Sequence, residues 1–360
     1  MPPLSSPETE PIPPRANPDL VGHAAAEREL RRLHHAGRLP HAILFAGPRG
    51  IGKATLAFRL ARFVLAGGTQ AADAEGLAVD SASGVFRRVA AGGHADLLTV
   101  ERAWDPRRRR LRNAIVVEDA REIANFLRLT PAEGGWRVVV VDGADETTPQ
   151  AANALLKILE EPPVRALLLL VAHSAGKLLP TIRSRCRRWP LAPLAADKLG
   201  RLLRQQRPEL DEADVTALII LAQGSIGRAL DLAAAGGLAL YRSLIEIVAR
   251  MPQIDVAGLY AFADRLARPE AEEAYRVVAD MLPQFLARVA GDAARRRLGA
   301  AEIAAGEGAA MQRLMAHVDP ARWAALYGEI EENFARTEGL NLDKKQALLA
   351  GFFAIERAAR

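Results

Sequence analysis

The residues most able to do chemistry in this chain form one short run, Gly47-Pro48-Arg49-Gly50-Ile51-Gly52-Lys53. Glycines at this spacing let backbone N–H groups close around phosphate oxygens, a following helix adds the partial positive charge of its N-terminus, and Lys53 can reach the outer phosphates. A purely structural turn is the other reading. The next position, which should offer a hydroxyl to the nucleotide's magnesium ion, is Ala54, and Thr55 comes one residue late. Successive helix positions point about 100° apart, so Thr55 would have to reach the ion from another direction. A second element shows a comparable loss. Asp142 ends an apolar run where a magnesium-facing carboxylate belongs, but Gly143 stands where a glutamate would activate water. Lys53 and Asp142 either still hold a nucleotide or persist as structural remnants. The third element is Thr181-Ile182-Arg183-Ser184-Arg185-Cys186-Arg187. An arginine on such a surface can be supplied in trans to a neighbour's γ-phosphate. On spacing alone, a surface salt bridge is the stronger reading.

These residues need a scaffold, and the pattern up to about Pro193 alternates short apolar runs with amphipathic stretches, as a parallel sheet covered by helices does. Ala42–Ala46, Val138–Val141 and Ala166–Ala172 read as buried strands. The helix after the glycine run carries Leu56, Leu60 and Val64 on one face and stops at Gly67-Gly68. Another starts near Glu118, with Ile123, Phe126 and Leu127 at helical spacing. A third has Thr148 as N-cap, Pro149 at its first position, and Pro162-Pro163 as its stop. Residues 69–95, rich in Ala, Gly, Asp and Ser, read as a long surface excursion. Beyond Pro193 the helical period takes over to the end.

Composition narrows the classes. At 360 residues and half hydrophobic, the chain exceeds one compact core and divides into two or three domains. Basic and acidic side chains number 48 and 43, so the net charge of +5 does not demand a polyanionic partner. The clusters Arg107–Arg110 and Arg295–Arg297 read as solvated surface. A lone cysteine, Cys186, excludes an internal disulfide and a multi-cysteine zinc site, and fits a reducing cytoplasm. No apolar run approaches the roughly 20 residues of a membrane span, and the Pro- and Glu-rich start is unlike a signal peptide.

Taken in order, the Gly47–Lys53 loop, Asp142-Gly143-Ala144-Asp145, the run from Ala151 through Asn153-Ala154-Leu155-Leu156-Lys157 to Leu159-Glu160-Glu161-Pro162-Pro163, and Ser184-Arg185-Cys186 resemble the AAA+ subunits of bacterial DNA polymerase III clamp loaders. Leu39-Pro40-His41-Ala42 and Gly224-Ser225-Ile226-Gly227-Arg228-Ala229 extend the resemblance. It implies an α/β P-loop (RecA-like AAA+) domain with a parallel sheet over residues 19–193, an all-α lid over 194–237 and an all-α collar over 238–360, behind a disordered leader, 1–18. It implies that Arg185 is a trans arginine finger and Arg228 a lid-domain phosphate sensor. Gly47, Gly50, Gly52, Lys53, Thr55 and Asp142 would form a degenerate nucleotide site. The cofactor implied is ATP, with Mg2+ coordination compromised, and no zinc, since the four-cysteine module of many relatives cannot form here. Within the family, Ala54 and Gly143 favour the non-motor, delta-prime type, a stator with weak or absent ATPase of its own. DNA-directed DNA polymerase (nucleotidyltransferase) activity would then be the holoenzyme's, by association. The alternative is an active AAA+ motor ATPase, of the loader-motor or the branch-migration and helicase type. Partners by resemblance are the gamma/tau and delta subunits in a cytoplasmic hetero-oligomer, with the sliding clamp and primed DNA reached through the complex and no membrane.

Overall fold

The computed structural model describes residues 12–68, 76–105, 110–133, 135–295, 302–317 and 319–360. They form two compact units, one reaching to Lys198 and taking in Gly224–Gly227, the other made of Leu199–Gln223 and Arg228–Arg360.

The first unit runs α1 (Ala24–His35), β1 (Ala42–Ala46), α2 (Lys53–Leu65), α3 (Gly84–Ala90), β2 (Leu97–Val100), a hairpin of β3 (Trp104–Asp105) and β4 (Arg110–Leu111), α4 (Val117–Arg128), β5 (Arg137–Asp142), α5 (Pro149–Glu160), β6 (Ala166–Ala172), α6 (Pro180–Arg185) and β7 (Arg187–Pro190). Five strands make one parallel sheet in the order β2-β5-β6-β1-β7, with Leu44 beside Leu170 and Val140 beside Leu169. Helices cover both faces, so the inner strands are buried on both sides and read as continuous apolar runs. Side chains still alternate. Leu44, Val139 and Leu168 face the core shared with α4 and α5, while Ile43, Val138 and Leu167 face α2. Each such side chain contributes roughly 1.5–3 kcal/mol by leaving water.

The local signals at the helix ends behave as their chemistry dictates. The Thr148 hydroxyl accepts from the Ala151 N–H at 3.2 Å with Pro149 in the first turn of α5. Gly67 and Gly68 take φ of 71° and 77°, and the Gly68 N–H donates to the Phe63 carbonyl at 2.9 Å, closing α2. Two elements depart from the sequence expectation. Residues 69–95 are not a bare surface excursion: 69–75 lie outside the described residues, but Leu77 is buried, the Ser83 hydroxyl caps α3, and Phe86 and Val89 of that helix are buried. Strand β7 also has no apolar signal, because it is an edge strand with Arg187 and Arg188 exposed.

Of the leader expected over 1–18, residues 1–11 lie outside the described residues. The rest is held on α2: Arg62 donates to the Arg15 and Asn17 carbonyls at 2.9 and 2.7 Å, and Arg59 to the Pro18 carbonyl.

The second unit is helical throughout its described residues: most of α7 (Ala196–Gln206), α8 (Glu212–Ala222), α9 (Ile226–Ala234) from Arg228 on, α10 (Gly237–Val248), α11 (Val256–Leu266), α12 (Glu272–Arg295), α13 (Glu307–His317), α14 (Pro320–Leu340) and α15 (Lys344–Ala359). Its core holds Leu282, Phe285, Trp323 and Phe352, all nearly fully buried. A buried polar knot sits beside it. The Tyr241 hydroxyl donates to Glu307 at 2.5 Å and Arg288 pairs with the same carboxylate at 2.6 Å, so the charge at Glu307 is compensated. Among the described residues no helix is long and apolar enough to cross a membrane.

Candidate functional site

The carboxyl ends of β1, β5 and β6 carry the candidate chemistry, the usual place for a ligand in an open parallel sheet. The loop leaving β1 is anchored by the Gly47 N–H, which donates to the Ala172 carbonyl at 3.3 Å. Gly52 caps α2 in the left-handed conformation, φ 96°, which a side chain would strain. Lys53 is the first residue of that helix and is 3% exposed. Its Nζ donates to the Pro48 carbonyl at 2.5 Å. Burial lowers its amine to about 8, against the opposing pull of Asp142 and Asp145. Burial likewise raises the Asp142 carboxyl, helped by Glu101 and opposed by Lys53. Ala54 is half-buried, whereas Thr55 is buried.

Four consecutive carbonyls of this loop accept hydrogen bonds from within the first unit. Besides Pro48, the Arg49 carbonyl accepts from the Ser225 hydroxyl at 2.8 Å, the Gly50 carbonyl from the Gly227 N–H at 3.0 Å, and the Ile51 carbonyl from the His23 imidazole at 2.7 Å. The Gly224–Gly227 segment lies so close that a Cβ on Gly227 would come within 2.9 Å of the Gly50 Cα. Sequence reasoning placed this segment in a helical module; the structure gives it to the first unit, against the loop.

Further features of the site were not legible in the sequence. Asp145 accepts from the backbone N–H groups of His173 and Ser174 at 3.0 and 2.7 Å, tying the turn after β5 to the turn after β6. The His173 ring then lies near Lys53. Burial first, and the Lys53 charge second, push its imidazole down to about 4, and its Nδ1 is buried without a hydrogen-bond partner among the described residues. The only hint in the sequence is a polar residue placed directly after a fully apolar strand. Gly143 is the other case. Its φ is 83°, and a Cβ there would stand 2.9 Å from a Glu146 oxygen that is itself paired with Arg102 at 2.8 Å. The missing glutamate is therefore a change of backbone as well as of side chain.

The donor set does not fit a magnesium-bound nucleotide. The coordinating hydroxyl is replaced by the Ala54 methyl, Thr55 is turned into the protein, and Asp142 is a buried carboxyl whose affinity for protons is raised. Among the described residues no group of three or more His, Cys, Asp or Glu is placed to hold a metal.

Arg185 lies at the other end of the sheet. It closes α6 just before β7, whose first residue, Arg187, pairs with Ile43 near the start of β1. Its Nη2 pairs with Glu160 at 2.7 Å, its Nη1 donates to the Thr181 carbonyl at 3.0 Å, and the side chain is about a third exposed. The flanking Ile182 and Cys186 are buried, and burial pushes the Cys186 thiol up to about 12. Arg228 begins the helical unit's share of α9 and pairs with Asp280 at 3.0 Å; burial lowers its guanidinium from the ordinary arginine range. The structure thus gathers Gly47, Gly50, Gly52, Lys53 and Asp142, turns Thr55 away, and places Arg185 at the opposite end of the sheet.

Known sequences align with this arrangement. The model of a family described as "DNA polymerase III, delta subunit" matches residues 22–195. DNA polymerase III subunit delta' of Escherichia coli is 30% identical over 318 residues, 87% of this chain and 88% of that protein. The subunit delta' of Pseudomonas aeruginosa is 39% identical over 198 residues, 54% of this chain and 55% of that protein. Subunit gamma/tau of Mycobacterium bovis is 30% identical over 277 residues, 75% of this chain but 46% of that protein, so the chain spans about half the length of such relatives.

Proposed function

From the premise that this chain belongs to the DNA polymerase III delta' family, we propose that it is a non-motor subunit of a clamp loader in DNA replication, a stator that lends Arg185 to the ATP of an adjoining subunit. The observation that carries this reading is the place of Arg185. A guanidinium at the end of the sheet opposite the chain's own phosphate loop cannot serve that loop, so any phosphate it meets belongs to another molecule. The chain's own cradle supports the same reading from the other side, with a methyl at Ala54 and a left-handed Gly143 where hydrolysis needs a hydroxyl and a carboxylate. We assign the lid to 194–237 and the collar to 238–360, with Arg228 as the lid's phosphate sensor. The collar joins gamma/tau and delta subunits in a cytoplasmic hetero-oligomer that acts on the sliding clamp and primed DNA.

Reconstitution with those subunits, clamp and primed DNA tests the reading. Arg185→Ala leaves folding and assembly intact and lowers hydrolysis at the adjoining site, while Arg187→Ala, a loss of the same charge from an exposed edge strand, does not. Robust ATP turnover by the isolated chain that vanishes on Lys53→Ala, or unchanged hydrolysis in the Arg185→Ala complex, overturns it.

A further inference from the structure

The run Leu159-Glu160-Glu161-Pro162-Pro163 is among the most distinctive strings in the sequence, yet nothing so far gives its glutamates a task. The structure puts the first of them on Arg185. Glu160 is the last residue of α5, and its Oε1 lies 2.7 Å from Nη2 of Arg185, the last residue of α6. The other amino group, Nη1, donates to the Thr181 carbonyl at 3.0 Å. The guanidinium plane is therefore fixed from two sides, by a carboxylate on one helix and a backbone carbonyl on the other. Both supports rest on anchored elements: Leu159 and Ile158 bury α5, and Ile182 and Cys186 bury the ends of α6. The Glu160 and Arg185 side chains remain 49% and 36% exposed, so the pair stands at the surface where a phosphate could approach it.

We propose that Glu160 is a positioning residue for Arg185, holding its planar fork in the orientation in which it meets a neighbouring subunit's phosphate. This rests on the reading of Arg185 given above. A donor already fixed before the reaction needs no reorganisation when charge develops, and small misplacements of such a group are costly in rate. The magnitude is bounded by the exposure of the pair. Surface ion pairs are weak, so removing this one makes Arg185 less often aligned without losing it, a cost of about two- to fivefold in turnover.

The test uses the assembled complex and compares Glu160→Gln with Glu161→Gln, which removes the same charge one residue away from a side chain that is not a partner of Arg185. The expected result is a two- to fivefold fall in kcat with KM unchanged for Glu160→Gln only, partly restored by Glu160→Asp. In an Arg185→Ala background Glu160→Gln should have no further effect. An independent readout needs no partner: in the isolated chain with nitrogen-15-labelled arginine, the guanidinium resonance of Arg185, identified through its loss in Arg185→Lys, should report faster Cζ–Nε rotation in Glu160→Gln and not in Glu161→Gln. Equal effects from the two glutamates, a change in KM alone, or a full additional loss in the Arg185→Ala background overturns the proposal while leaving Arg185 its role. If Arg185→Ala itself is without effect, the reading of Arg185 falls first.

Discussion

The two ends of the parallel sheet make opposite uses of the same physical chemistry. At the carboxyl end of the strands, the loop that should cradle phosphates is tied into its own protein: four successive carbonyls are engaged, the lysine amine is buried on one of them, and the backbone at Gly143 has turned left-handed. At the opposite end a guanidinium stands a third exposed on a short helix whose neighbours are buried. One end is packed against its own unit, with a methyl at Ala54 and a left-handed glycine at Gly143. The other holds a guanidinium outside the core. The loop is thus a packing element of its own unit, pinned by Ser225, Gly227 and His23.

The sharpest way to break this contrast is to remove the charged group at each end in the reconstituted complex. Arg185→Ala is expected to lower turnover at the adjoining site by a factor on the order of 10³, the range known for arginines supplied in trans, whereas Lys53→Met changes it by less than about twofold. Steady-state ATP hydrolysis decides between them, and a larger effect from Lys53 would reverse the comparison. Repairing the silent end should also fail. Gly143→Glu is expected to cost about 1–2 kcal/mol, because an L-residue at φ 83° is strained, while Ala54→Ser stays within about 0.5 kcal/mol. Urea unfolding gives both values, and the double variant should show no turnover in the isolated chain.

A smaller effect separates the ends by pH. The His173 imidazole is held near 4 against an ordinary 6.5, so the unfolded chain takes up its proton first as pH falls. The resulting stability is fully present above about pH 6.5, declines between 6.5 and 4, and is then constant, a change of about 1–2 kcal/mol once solvent screening of the partly buried ring is allowed for. His173→Asn should flatten that part of the profile relative to the unsubstituted chain; parallel profiles would show that the ring is not held neutral. Smaller than the His173 effect is that of Lys53→Met on stability at pH 7, expected within about 1 kcal/mol, since relief of burying a charge opposes loss of the bond to Pro48. Its signature is at high pH. The unsubstituted chain gains stability from about pH 8 to 10.5 as its unfolded form alone retains the proton, and the variant does not.

What could be read from the sequence was what burial and local capping write into it. β1 and β6 have the bounds that their apolar runs give, β5 differs by a residue at each end, and Thr148 with Pro149 announces α5. The elements missed lack those marks. β7 shows arginines because its edge faces water, and α3 hides two buried side chains, Phe86 and Val89, in a stretch of small residues. At the site, the glycine run, Lys53 and Asp142 were visible because phosphate chemistry fixes their spacing. His173 and the contact of Gly224–Gly227 with the loop were not, because they depend on chain segments 28 and 176 residues apart, and the left-handed turn at Gly143 was not, because a glycine adopts either sign of φ.

The hold of α2 on the segment ahead of α1 sets a limit for anyone reshaping the chain. Arg62 is 1% exposed, stacked 4.5 Å over the Phe86 ring, and its two carbonyl acceptors come from Arg15 and Asn17. Cutting or fusing the polypeptide ahead of Ile12 leaves those acceptors in place. Starting it at Leu20 removes both acceptors together with the segment packed on α2, leaving the guanidinium to be served by water, a loss on the order of 1–3 kcal/mol. The boundary of the folded domain therefore lies upstream of its first helix, in residues whose composition alone looks dispensable.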